Sequence, residues 1–272
     1  MRLVNRRPDP VTRLLLPAVP FLAVACANLF FSARRLVLNA SDKLLPGPEA
    51  LGAAFVRMAL VPDPRTGQYL MLLDATASLQ RLLTGLLLSA TTAFALALLI
   101  GLLPLARSAL GGFVAVVSLV PPLAVLPILF IAAGLGETSK ILLIAIGTAP
   151  VLIRDLAARV IELPGEQMVK AQTLEASTWQ IALRVTVPQL LPRLIDALRL
   201  ALGPAWLFLI SAEAIAAESG LGYRIFLVRR YFAMDVILPY VACITLLAFL
   251  MDMALLALRR TAFPWFLPGK AA

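Results

Sequence analysis

Histidine is absent from this 272-residue chain. That excludes every site needing an imidazole: His-ligated metals, Ser-His or Cys-His nucleophilic pairs, and the metalloprotease helix HExxH. Cysteine is scarce. Only Cys26 and Cys243 occur, both inside apolar segments, so no disulfide framework can be read. Charge is scarce as well, at 14% of residues, against about 25% in a soluble domain. No paired interfacial carboxylates and no nucleophile–base pair stand out, which disfavours an intramembrane enzyme. No catalytic residue, metal ligand or cofactor is assigned.

What is present is apolar. Hydrophobic residues make up 61% of the chain, and the mean hydropathy is +0.93. They come in long runs, which places the chain in the membrane class. The net charge of +9 does not indicate nucleic acid. Its Lys and Arg residues lie between the apolar runs, as the positive-inside rule expects, and no separate basic domain exists.

The runs predict an all-α polytopic protein of about six transmembrane helices (five to seven). Residues 1–13 form a basic tail, and 14–31 a first span. A cleaved signal peptide, or a lipoprotein signal ending Ala23-Val24-Ala25-Cys26, is the competing reading, although Ala23 stands where Leu, Val or Ile is usual in the latter. The membrane character of the remaining chain favours a retained span. Residues 32–81 are an extramembrane connection punctuated by Asn39, Ser41, Asp42, Pro46 and Pro62, with an amphipathic helix over 49–60. The core covers 82–260, with spans expected at 82–103, 109–133, 141–153, 194–217 and 236–258, and 261–272 is a tail. Arg residues at both ends predict that both termini lie inside.

Pro121, Pro122 and Pro127 break the third span and free backbone carbonyls, which marks a pathway-lining helix or a packing kink. Ser118, Pro121, Pro122, Glu213 and Thr245 are the pathway candidates. Glu213 and Asp252 are acids at membrane depth or its edge. They fit either a proton relay or helix-end acids paired with Arg224 or Arg259. Gly134 to Lys140 is not a phosphate-binding loop, because Lys140 follows Ser139 rather than Gly.

The polar segment 154–193 is the informative one. It reads as a helix starting near Pro164, a break at Glu175–Thr178, and a second short helix stopped by Pro188. Lys170 to Trp179, with Arg184-Val185-Thr186-Val187-Pro188, resembles the EAA loop of ABC importer permeases: EAA, three residues, Gly, nine residues, Ile-x-Leu-Pro. Val185, Val187 and Pro188 match its tail. At the head only Ala171 agrees, with Val169 and Lys170 in place of Glu and Ala, and Glu175 in place of Gly. Over roughly residues 75–260, Ser78 to Arg81 with Gly85, Pro121-Pro122 with Leu126-Pro127, Gly134 to Glu137, Ser139 to Ile141 and Ser219 to Tyr223 look like the nitrate/sulfonate/taurine branch.

That resemblance implies a type I ABC importer permease in the bacterial inner membrane. It would move a small nitrogen or sulfur solute by alternating access. It also implies a second permease copy, a periplasmic solute-binding protein, and a separate ATPase subunit that binds ATP and Mg. The docking loop would present Ala171, Thr173, Leu174, Glu175, Ala176, Ser177, Val185 and Pro188. If the Gly position needs a left-handed backbone, Glu175 is strained there. The alternative function is an ion- or proton-coupled secondary transporter using Glu213 or Asp252.

Overall fold

A computed structural model describes residues 9–38, 44–64 and 66–266. Arg2, Arg6 and Arg7, the Asn39–Asp42 punctuation and the end of the C-terminal tail lie outside the described residues. Every regular element among the described residues is a helix. Five helices are long and apolar enough to cross a membrane, and a bent pair counted as one span brings the number to six.

The chain divides into two compact units. The first contains α1 (Pro10–Leu15), α2 (Ala18–Leu38) and α3 (Pro48–Ala59) with residues 228–240. Helix α2 starts and ends later than the span expected at 14–31; it is apolar apart from Asn28, Ser32, Arg34 and Arg35, with Phe21, Val24, Phe30 and Phe31 exposed. Such a helix is suited to a lipid surround. Ser32 Oγ donates to the Leu45 carbonyl at 3.1 Å, tying the end of α2 to the approach to α3. Pro48 opens α3, where no N–H is needed, and Glu49 sits favourably in its first turn.

The second unit, residues 71–227 with the chain from Val241 onward, is built on α4 (Leu70–Leu102), α7 (Glu137–Ile161) and α10 (Val187–Ala216). Helix α4 carries a small residue every fourth position: Gly85, Ser89, Ala93, Ala97 and Gly101, all buried. Small residues allow backbones to approach in a bilayer, where burial from water cannot drive helices together. Helix α7 answers in parallel register. A Cβ on Gly85 would lie 2.7 Å from Ile144 Cβ, and one on Gly101 would collide with Val160. Between them Thr148 Oγ1 donates to Ser89 Oγ at 2.8 Å. We therefore expect Gly85→Val to force α4 and α7 apart. Its thermal midpoint in detergent should fall by several degrees, in line with about 1–3 kcal/mol for overpacking; an unchanged midpoint would contradict this register.

Spans of the second unit also differ from the sequence expectation. Helix α4 begins at Leu70 rather than near Leu82, because Asp74, Ser78 and Arg81 are not loop residues but one inward face of the helix, at i, i+4 and i+7. The third span is two helices, α5 (Pro104–Val117) and α6 (Pro122–Ala133), bent by 96°. The residue before a proline avoids helical geometry, and Pro121-Pro122 imposes this twice. Helix α7 runs to Ile161, beyond the expected 153, since Arg154, Asp155 and Arg159 continue it without a breaker.

Candidate functional site

The segment between α7 and α10 is a compact helical loop. Pro164 caps α8 (Gly165–Thr173), and the chain then reverses through Leu174–Ser177. Ala176 N–H donates to the Ala171 carbonyl at 3.1 Å and Glu175 N–H to the Gln172 carbonyl at 3.0 Å. This pair of bonds is a Schellman ending, whose C′ residue takes a left-handed backbone and is usually glycine. Here that residue is Glu175, with φ 57. A non-glycine residue there costs about 1–2 kcal/mol. Glu175→Gly is expected to relieve most of that strain and so to raise the thermal midpoint in detergent; an unchanged or lower midpoint would show that the backbone there is not strained.

Ser177 starts α9 (Thr178–Ile181) with a capping box: its side chain accepts from Gln180 N–H, and the Gln180 side chain accepts from Ser177 N–H. Pro188 does not stop this helix, contrary to the sequence expectation. A π-turn over Ala182–Thr186 absorbs the proline, and the helix continues from Thr178 to Ala216. A widened i→i+5 turn accommodates the carbonyl that the proline ring would strike and that its missing N–H leaves unbonded. Gln189 ties the two arms together, donating to Gln167 Oε1 and the Val185 carbonyl, each at 2.9 Å.

Of the residues singled out from the sequence, Thr173, Leu174, Glu175 and Ser177 are exposed, while Ala171, Ala176, Val185 and Pro188 are half-buried and shape the turn. Leu174 is 81% exposed and Trp179 71%. Val169 and Leu183 are exposed too, and these two and Trp179 were missed as candidates. The signal was an aromatic and aliphatic set inside an otherwise charged stretch. Behind the loop a cavity of about 430 Å³ is lined by Met168, Gln172 and Ile181 on one side and by Leu103 and Arg107 on the other. Arg107 caps the end of α4, donating to the carbonyls of Ile100 at 3.2 Å and Gly101 at 2.5 Å.

At the opposite end of α4, α7 and α10 lies a buried ionic cluster. Arg81 is its hub. It donates to Glu213 Oε1 and to the Ser219 carbonyl, each at 2.7 Å, and forms a two-pronged pair with Glu137. Lys140 adds a bond to Glu137 at 2.9 Å. Ser78 Oγ donates to Glu213, and Glu213 also accepts the Gly222 N–H at 2.9 Å. Asp74 takes the Gly220 N–H at 3.0 Å and pairs with Arg224 at 2.8 Å. Three acids face three bases, so the cluster is neutral.

The cluster explains both glycines of Ser219-Gly220-Leu221-Gly222. Gly220 has φ 127, and a Cβ there would lie 2.5 Å from the Glu213 carboxylate; one on Gly222 would lie 2.8 Å from the Ile210 carbonyl. The chain enters the short helix α11 (Leu221–Arg229) through this turn.

The expected pairings of Glu213 and Asp252 are corrected here. Glu213 pairs with Arg81, not Arg224, whose partner is Asp74. Asp252, on α12 (Met234–Ala262), receives a two-pronged bond from Arg199 at 2.7 and 2.9 Å, while Arg259 pairs with Asp196. Both acids are thus matched across helices, on partners far away in sequence. Among the other pathway candidates, Ser118, Pro121 and Pro122 sit at the α5–α6 elbow, where Ser118 Oγ accepts from Arg154 at 2.8 Å. Thr245 is exposed, and its hydroxyl donates to the Val241 carbonyl of its own helix.

Residues 85–264 match the family described as binding-protein-dependent transport system inner membrane component. The chain is 38% identical over 190 residues to the taurine transport system permease protein TauC of Escherichia coli (strain K12), covering 70% of this chain and 69% of that protein. It is 29% identical to the nitrate import permease protein NrtB of Synechococcus elongatus, covering 78% and 76%. Its fold is similar to a solved inward-facing structure of the MetNI methionine ABC transporter, with a TM-score of 0.63 at 17% identity, covering 69% of this chain and 94% of that one.

Proposed function

This chain belongs to the family of binding-protein-dependent transport system inner membrane components, and from that premise we propose how it works. It is a multi-pass permease component of an ABC importer. Its solute is a small nitrogen or sulfur compound of the nitrate, sulfonate or taurine kind, as the names of its relatives support. The observation that carries the mechanism is the 164–188 loop, a rigidly capped projection at one end of the bundle with Leu174 and Trp179 uncovered. A separate ATPase subunit docks on these side chains and supplies the nucleotide and Mg chemistry. The EAA-like loop converts that docking motion into movement of α7 and α10, to which it is directly joined.

The docking loop faces the cytoplasm, and the ionic cluster lies toward the outer side, where a periplasmic binding protein delivers solute. By the positive-inside rule both termini lie inside. Two copies of the permease form the pathway, which alternates between outward and inward access, and the elbow at Ser118–Pro122 and Thr245 belong to its lining. Glu213 and Asp252 each hold an arginine partner, which argues against a free intramembrane acid carrying protons.

The test is uptake of labelled nitrate, taurine and an alkyl sulfonate by vesicles containing this chain, its ATPase and its binding protein. ATP-dependent accumulation of at least one is expected. Accumulation by the permease alone, without the ATPase, would sink the importer reading in favour of a secondary transporter.

A further inference from the structure

The ionic cluster can be divided without leaving a charge unmatched. Glu137 and Lys140 both sit on the first turn of α7, joined at 2.9 Å, and form one neutral couple. Arg81 and Glu213 form a second between α4 and α10, at 2.7 Å. Asp74 and Arg224 form a third, at 2.8 Å. The Arg81–Glu137 fork ties the first couple to the second. If it parts, Arg81 keeps Glu213 and the Ser219 carbonyl, Glu213 keeps Ser78 and the Gly222 N–H, and Glu137 keeps Lys140. The heavy cost of breaking a buried pair comes from stranding a charge. This cut strands none.

The two acids that Arg81 holds are also unlike. The Glu137 side chain is 57% exposed, whereas that of Glu213 has no exposed surface. Water can take the place of Arg81 at Glu137, and an exposed pair is worth little. The segment leading into α7 is unpacked. Gly134, with φ 75, and Gly136 flank an exposed Leu135, and a Cβ added to either glycine would meet no atom within 4 Å. Pro150 removes one rung from the middle of α7, so the first half of the helix can swing on the second. The far end of α7 leads through Glu162–Pro164 directly into α8 of the docking loop.

We propose that the Arg81–Glu137 fork is a releasable clasp. It holds the start of α7 against α4 and α10, and it parts when movement of the docking loop draws α7 away. Glu137 and Lys140 then leave together as a neutral couple, and Arg81 stays behind with Glu213. The inference rests on the permease reading and deepens it by naming the contact that opens at the end of the bundle opposite the ATPase. An element with two discrete arrangements is what lets one end of a bundle act on the other.

The test uses the complex of permease and ATPase in vesicles, with its binding protein and the solute that the unmodified complex accumulates. If the unmodified complex accumulates none, the permease reading fails and takes this inference with it. If it accumulates one, the clasp is tested by labelling. Ser139, between Glu137 and Lys140, has no exposed surface. In a background without Cys26 and Cys243, Ser139→Cys is expected to react with a water-soluble maleimide at least about five-fold faster during ATP turnover than without nucleotide. Adding Glu137→Gln should raise the rate without nucleotide toward the turnover rate. Equal rates with and without turnover would overturn the proposal. Should Ser139→Cys fail to assemble, ATP hydrolysis without binding protein decides instead. Glu137→Gln should raise it about two- to five-fold, the weight of one exposed pair. Asp155→Asn, which removes an exposed pair from the same helix, should leave it unchanged. Hydrolysis by Glu137→Gln at the unmodified rate would overturn the proposal. So would an equal rise for Asp155→Asn, which would assign the effect to general loosening of α7.

Discussion

Arg81→Ala is expected to leave little folded protein, at a cost of about 3–5 kcal/mol, the range for removing one partner of a buried ion pair. Arg81, on α4, joins α7, α10 and the Ser219 turn. Without it Glu213, whose side chain has no exposed surface, keeps only Ser78 and the Gly222 N–H. A charge so enclosed must either take up a proton or draw in water, and both loosen the turn that Gly220 and Gly222 fit so closely. Thermal melting of the detergent-solubilised variant, followed by size exclusion, reads the effect. Glu137→Gln is the matching mild change, because the Glu137 side chain is 57% exposed and water can replace part of its role. If Arg81→Ala melts no lower than Glu137→Gln, the hub role assigned to Arg81 is wrong.

The second large effect concerns association rather than folding. Leu174→Asp should release the ATPase subunit while the permease itself remains intact. Leu174 is 81% exposed and belongs to no core, so its loss removes no internal packing. An apolar side chain at the tip of a preorganised turn is the kind of anchor whose truncation costs about 2 kcal/mol or more at an interface. Replacing it with a charge adds desolvation of the carboxylate to that loss. Since about 1.4 kcal/mol is tenfold, the affinity should fall by roughly 30-fold or more. Copurification of the ATPase with tagged permease measures this directly. Full retention of the ATPase by a Leu174→Asp, Trp179→Ala double variant would show that the loop does not form the docking surface.

These two expectations come from features of unequal visibility in the sequence. The loop was legible because its signals are local. Pro164 and the break at Glu175–Thr178 each act within a few residues, so their spacing carries the geometry. The left-handed backbone at Glu175 is foreshadowed by the glycine of the motif it resembles. The effect of Pro188 was not legible, since a π-turn depends on whether neighbouring helices hold the chain straight through the proline. The ionic cluster was not legible either. Arg81 and Glu213 are far apart in sequence, and no local pattern distinguishes a polar residue bound for a distant partner from one in a loop. Asp74, Ser78 and Arg81 therefore read as connection, although their spacing already describes one face of a helix. The five small residues of α4 were equally available as a packing signal and were hidden by the uniform hydropathy around them.

The distance in sequence between Arg81 and Glu213 has a consequence for how the protein is made. Their partnership spans 132 residues, which a ribosome adding about 5–20 residues per second needs about 7–26 s to synthesise. Throughout that interval α4 has been translated and Arg81 has no Glu213 to meet. Glu137 is made before Glu213, and the Ser219–Arg224 turn that closes on them is made last, so the cluster cannot be complete until the chain has passed α10. Until then the partner that a later helix offers Arg81 is Glu137.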